Sequence, residues 1–194
     1  MKNYILAVFI LLLTISLNAQ DFSGGFLFGA SGSQVDGDVQ SGYKKPGLLA
    51  GAWVSMPFSQ SLDLKIETYY IGKGAVDNQE QADGTVFQNF KTSLHYIEMP
   101  FLLNINIHPK IDLAFGIAPS YLFSHKLTSR KQLVDKSSYS MNNFDFQGMG
   151  QVDFFLTEKI SSSIRFSYSL VDIRKEDLAV WYNNNISIAF RYKL

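Results

Sequence analysis

The chain contains no cysteine. Disulfides, thiolate metal sites and the lipidated cysteine of a bacterial lipoprotein are therefore excluded. It has no excess of either charge: 17 Lys and Arg face 17 Asp and Glu. Without a basic surplus there is no electrostatic case for binding nucleic acid. Beyond the N-terminus no run of 18 apolar residues occurs, which excludes a bundle of transmembrane helices. Nucleotide-binding and hydrolase motifs are missing too: there is no G-x-S-x-G elbow, no Walker A and no G-x-G-x-x-G. The three histidines, His95, His108 and His125, are scattered and lie at no metal-ligand spacing. The sequence thus predicts no enzyme, no cofactor and no metal. What it has in quantity is aromatic residues, with 16 Phe, 10 Tyr and 2 Trp.

Residues 1–19 read as a cleaved signal peptide. Lys2 supplies the positive end, Ile5 to Leu17 an apolar stretch, and Leu17-Asn18-Ala19 a cleavage site that leaves Gln20 first. The apolar stretch is short for a membrane span of roughly 20 residues, which weighs against a retained anchor helix. Residues 20–194 then form one domain of about 175 residues, and loss of Lys2 leaves 16 basic against 17 acidic residues.

Alternation dominates that domain. In Leu62-Asp-Leu-Lys-Ile-Glu-Thr-Tyr-Tyr-Ile71, Leu62, Leu64, Ile66 and Tyr70 take one face, and Asp63, Lys65 and Glu67 the other. Similar patterns predict strands at 22–31, 47–58, 62–72, 92–107, 111–124, 144–156, 160–171 and 182–194. Connections near 59–61, 108–110 and 157–159 are tight. Those near 32–46, 73–91, 125–143 and 172–181 are long and polar. Strict short–long alternation predicts an all-β, eight-stranded antiparallel up-and-down transmembrane barrel. Its short turns and termini face the periplasm, and the loops around Asp38, Asp83, Arg130 and Lys175 lie outside. The face assigned to lipid is almost free of charge; His95, near a strand end, is its one ionisable residue. Tyr70, Tyr121, Phe123, Phe144 and Tyr168 fall at external ends, where they would form an aromatic girdle. A soluble barrel would turn its charged face to water instead. Here the polar face is rich in Gly, Ala and Ser, which suits a narrow interior.

That interior register holds Lys65, Glu67, Glu98, Asp145, Asp153, Arg165 and Arg191. Eight strands leave room for little beyond side chains, so these charges are read as a structural network closing the lumen rather than lining a pore. Glu67 and Arg165 both lie five residues above the start of outward-running strands, and Glu98 descends beside Glu67. Arg165 is therefore expected to bridge Glu67, Glu98 or both. In the third long loop, Lys126, Arg130, Lys131 and Lys136 make a candidate contact surface for lipopolysaccharide or a protein partner. Ser124-His125 at the external rim is the nearest thing to a nucleophile and base, but it lacks the third group that would orient the base.

Residues 42–75, GYKKPGLLAGAWVSMPFSQSLDLKIETYYIGKGA, resemble the first half of PorT-like outer-membrane β-barrel domains of Bacteroidota. So do HYIEMPFLLNINI at 95–107, IDLAFGIAPSYLFS at 111–124 and ISSSIRFSYSLVDI at 160–173. The resemblance implies an eight-stranded barrel in a Gram-negative outer membrane; its name-giving member is associated with protein secretion. One departure is the terminus, Tyr192-Lys193-Leu194, where such barrels commonly end in an aromatic residue. The expectation is a monomeric barrel with a structural or interaction role in the envelope, in contact with outer-membrane lipid and lipopolysaccharide. The alternatives are a component of a secretion or envelope assembly, a rim enzyme acting on lipid or peptide, and a narrow channel.

Overall fold

The computed structural model describes residues 22–37, 42–80, 86–129, 140–175 and 180–194. The expected signal peptide, and the loop positions Asp38, Asp83, Arg130, Lys131 and Lys136, lie outside them.

The described strands are β1 Ser23–Asp36, β2 Lys45–Ser59, β3 Leu62–Glu80, β4 Val86–Glu98, β5 Phe101–His108, β6 Ile111–Ser129, β7 Phe144–Phe155, β8 Ile160–Ser169 and β9 Tyr182–Lys193. Every neighbouring pair is antiparallel, and β1 closes on β9 from Gly25↔Lys193 to Asp36↔Tyr182. β4 and β5 are two halves of one stave. Both lie between β3 and β6, so nine strands make an eight-membered ring. The break falls at Met99-Pro100, where proline has no N–H to give the ladder. The wall stays joined there: Glu67 N donates to Pro100 O (3.0 Å) and Met99 N to Pro119 O (3.0 Å). The protein is an all-β, up-and-down barrel.

Alternation sorts the side chains as a closed wall requires. Phe115, Ile164 and Ile188 leave about half their surface bare, at 55, 49 and 52%. Inward neighbours such as Ala114, Arg165 and Ala189 are buried. So large an apolar surface, wrapped round a ring with no free edge, suits hydrocarbon rather than water. Close approach inside the narrow wall needs Gly51: a Cβ there would collide with Thr68 O and the Tyr69 backbone.

The turns at 60–61, 109–110 and 156–159 are tight, but the external ends differ from the sequence reading. β3 does not stop at Gly72; it continues to Glu80 and returns through β4, with Gly74 in the left-handed region (φ 136°). β1 reaches Asp36 and β6 reaches Ser129. A tilted membrane strand needs about 9–11 residues, so the 19-residue β3 and β6 stand well clear of the bilayer.

Of the two remaining external segments, residues 140–143, 170–175 and 180–181 fold inward as a cap. Met141 bridges Arg174, Asn142 N donates to Ile173 O (2.9 Å) and Ile173 N donates to Trp181 O (2.9 Å). The Asp172 carboxylate accepts from Arg174 N (2.9 Å) and Trp181 N (2.8 Å), which ties the loop to itself. Met141, Ile173 and Trp181 are thereby buried against Val35, Ile71, Leu94 and Leu122. The lumen is apolar at its external mouth and ionic below.

Candidate functional site: the charged lumen

Inward positions on β3, at spacing two, are Lys65, Glu67, Tyr69, Ile71 and Lys73, all buried. Opposite them β7 presents Asp145, Gln147, Met149, Gln151 and Asp153, and β8 and β9 present Arg165 and Arg191. The side chains connect from the periplasmic end outward. Lys65 Nζ pairs with Asp153 Oδ2 at 2.9 Å, and Arg191 Nη1 with Asp153 Oδ1 at 2.8 Å. Arg191 Nη2 continues to Glu67 Oε1 at 2.7 Å. Arg165 Nη2 takes the other Glu67 oxygen at 2.6 Å. Arg165 also donates from Nε to Gln151 (2.7 Å) and from Nη1 to the Tyr69 hydroxyl (2.7 Å).

Tyr69 is the hinge of the chain of contacts. Its hydroxyl accepts from Arg165 and donates to Glu98 Oε2 at 2.9 Å. Arg165 therefore bridges Glu67 directly and reaches Glu98 through a phenol. Glu98 has a cation of its own, Lys73 Nζ, at 2.6 Å, with neither side chain exposed at all. Lys73 also donates to Gln147 Oε1 (2.6 Å), and Gln147 Nε2 donates to Asp145 Oδ2 (2.9 Å). Among the described residues no cation pairs with Asp145; Ser169 Oγ and Asn183 Nδ2 each donate to its Oδ2 at 2.9 Å, while its Oδ1 is buried without a hydrogen-bond partner. Lys65, Lys73, Arg165 and Arg191 thus face Glu67, Glu98, Asp145 and Asp153, and Asp112, also buried, stands opposite Asp153 on the next strand. Buried charge is tolerable where ions gain partners to replace their water, as the paired Lys65, Lys73, Arg165 and Arg191 do here.

Sequence reasoning placed Lys65, Glu67, Glu98, Asp145, Asp153, Arg165 and Arg191 on the inner face but missed Lys73, the most deeply buried cation of the set. The signal was there: Lys65, Glu67, Tyr69 and Ile71 extend by two to Lys73 once the strand is not cut at Gly72. Gln147 and Gln151 share the inward register of Asp145 and Asp153 in the sequence but were not counted in the network, and Tyr69 was not counted either.

Below the network the lumen widens into a cavity of about 190 Å³ open to the periplasmic side, lined by Trp53, Ser55, Asp63, Lys65, Arg191 and Lys193 among others. Among the described residues no group of three or more His, Cys, Asp and Glu is placed to hold a metal. The rim pair is not assembled. Ser124 is opposite His95 on the outer face, whereas His125 is opposite the buried Leu94, so the two point to opposite sides of the wall. Of the basic loop positions, Lys126 lies exposed on β6.

Comparison with known proteins agrees with this architecture. Residues 18–175 match the family model "Outer membrane protein beta-barrel domain". The fold resembles neisserial surface protein A, with a TM-score of 0.55 and 11% identity over 89% of this chain and 97% of that one. It also resembles Ail, the attachment invasion locus protein of Yersinia pestis, with a TM-score of 0.50 and 10% identity over 89% of this chain and 98% of that one. A search of curated proteins finds no match.

Proposed function

The chain belongs to the outer membrane protein beta-barrel domain family and lies in the outer membrane of a Gram-negative cell, and on that footing we propose that it is a non-enzymatic interaction barrel of the envelope whose lumen is closed by its own side chains. The observation that carries this reading is the ion-paired, hydrogen-bonded network from Lys65 to Asp145 under an apolar cap. A conducting pore needs continuous water, and this interior replaces water with paired ions. The separation of Ser124 from His125 supports the non-enzymatic part. Residues 1–19 serve as the export signal and are removed, and the barrel works as a monomer.

What projects beyond the bilayer is then the working surface: the β3–β4 hairpin, the end of β6 and the capping segments. The finer assignment, a PorT-like barrel of Bacteroidota acting in a secretion or envelope assembly, is supported by the resemblance of residues 42–75, 95–107, 111–124 and 160–173. Photo-crosslinking in native membranes tests the interaction role. A crosslinker at Tyr43 or Val180, on the external side, is expected to give one protein adduct of fixed mass. A crosslinker at Ile164, in the lipid face, should give lipid adducts alone. Absence of any protein adduct from the external positions would overturn the proposal.

A further inference from the structure

The external rim differs around its circumference. On β3, β4 and β6, Tyr70, His95 and Phe123 cluster on the outer face. The Tyr70 and His95 rings stack with centroids 5.9 Å apart, and Phe123 lies 6.2 Å from each. The Tyr70 hydroxyl is hydrogen-bonded to His95 Nδ1 at 2.7 Å. Rings of this kind settle at the level of lipid headgroups, so the cluster marks the outer boundary of the hydrocarbon.

Above it the register continues the same face. Ser124 is opposite His95, Lys126 is opposite Ser93, and Thr128 is opposite Lys91. Lys91 and Lys126 are thus diagonal neighbours on adjacent strands. Such neighbours lie about 7–8 Å apart, with their Cβ atoms somewhat nearer, close enough for two ammonium groups to share one phosphate. Ser93 and Thr128 add hydroxyl donors between and beside them. Among the described residues neither ammonium has an ion-pair partner, in contrast to Lys65 and Lys73 inside. The fold therefore brings like charges together just above the hydrocarbon without a counter-ion. The opposite side of the rim has another character. Tyr168 stacks on Tyr182 (5.9 Å), and Asp36 accepts from Gln34 (2.7 Å) and Asn184 (3.1 Å).

The outer leaflet of this membrane is made of lipopolysaccharide, whose lipid A carries phosphate at the headgroup level. We infer that Lys91 and Lys126, with Ser93 and Thr128, form a binding site for a lipid A phosphate on the β4–β6 face of the barrel. Each cation held near an anionic lipid surface contributes attraction that salt screens. The site depends on the outer-membrane placement and not on a closed lumen, so either can fail without the other.

The test is binding of purified bisphosphorylated lipopolysaccharide to the full mature protein in detergent. The parent should bind, and the double variant Lys91→Gln, Lys126→Gln should bind about thirtyfold more weakly, at about a kilocalorie per lysine. Lys159→Gln, at a periplasmic turn, should bind like the parent. Enzymatically dephosphorylated lipopolysaccharide should bind the parent no better than the intact lipid binds the double variant. Faster migration of the unboiled double variant on a gel will show that it has folded. Equal binding by parent and double variant, equal loss from Lys159→Gln, or undiminished binding of the dephosphorylated lipid would each overturn the site. Displacement of the lipid by an equal concentration of inorganic phosphate would overturn its assignment to lipid A.

Discussion

Glu67→Gln should lower the unfolding free energy of the barrel by about 3–5 kcal/mol, the usual cost of breaking a buried pair by removing one partner. Glu67 holds two guanidinium groups, Arg165 at 2.6 Å and Arg191 at 2.7 Å, and its side chain has no exposed surface. The amide keeps the shape but cannot compensate either cation. Arg191 retains Asp153, so Arg165 is the stranded charge. Adding Arg165→Met should therefore restore part of the loss. Urea unfolding in lipid vesicles measures both variants and the pair. A double variant whose loss equals the sum of the single losses would show that the two groups do not interact.

Lys73→Met should be of similar size, towards the lower end of about 3–5 kcal/mol. It leaves Glu98 without a cation, in a site with no exposed surface. Tyr69 and Gln147 still donate to that carboxylate at 2.9 Å, which limits the damage. Combining Lys73→Met with Glu98→Gln removes both charges and should recover most of the stability, since neutral replacements of a buried pair are often tolerated. Lys126→Gln, which removes an exposed outer-face lysine, should stay within about 0.5 kcal/mol of the parent. A loss from Lys73→Met no larger than that would contradict a buried Lys73–Glu98 pair.

These effects could be anticipated only in part from the sequence. Strand starts at Leu62, Ile111 and Ile160 were legible, because each follows a tight polar turn and opens on an apolar face that meets lipid. Upper ends were not. Above the bilayer the outer face of a strand turns polar while the inner face stays buried, so the apolar–polar period of two fades in stretches such as Val76-Asp77 and Thr92-Ser93. That is why alternation alone ends β3 at Gly72 and assigns Lys73 to the loop that follows. The break at Pro100 left the apolar alternation of Ile97, Met99, Phe101 and Leu103 intact, so one stave reads as one strand although the ladder is interrupted.

The inner face was recognised by its charges, which alternation exposes. The links between them were not, because Tyr69, Gln147 and Gln151 carry no charge to draw notice. Nor does sequence spacing show that Arg165 reaches Glu98 by way of a phenol; barrel shear decides that. The external cap was hidden for a different reason. Met141 is an isolated apolar residue in a polar segment, and Ile173 and Trp181 lie beside the short apolar stretches Leu170-Val171 and Leu178-Ala179-Val180, with no period to betray which of them is buried. Ser124-His125 reads as an adjacent pair, and only strand geometry shows that adjacency separates the two across the wall.

The most direct measurement of a lumen closed by its own side chains is single-channel recording of the mature protein in a planar lipid bilayer. With the Lys65–Asp153, Arg191–Glu67, Arg165–Glu67 and Lys73–Glu98 pairs in place beneath the apolar cap, the inserted parent should carry no steady current at physiological salt. A stable, protein-dependent conductance from the unmodified chain would show that ions pass between these residues, and the closed-lumen account would be wrong.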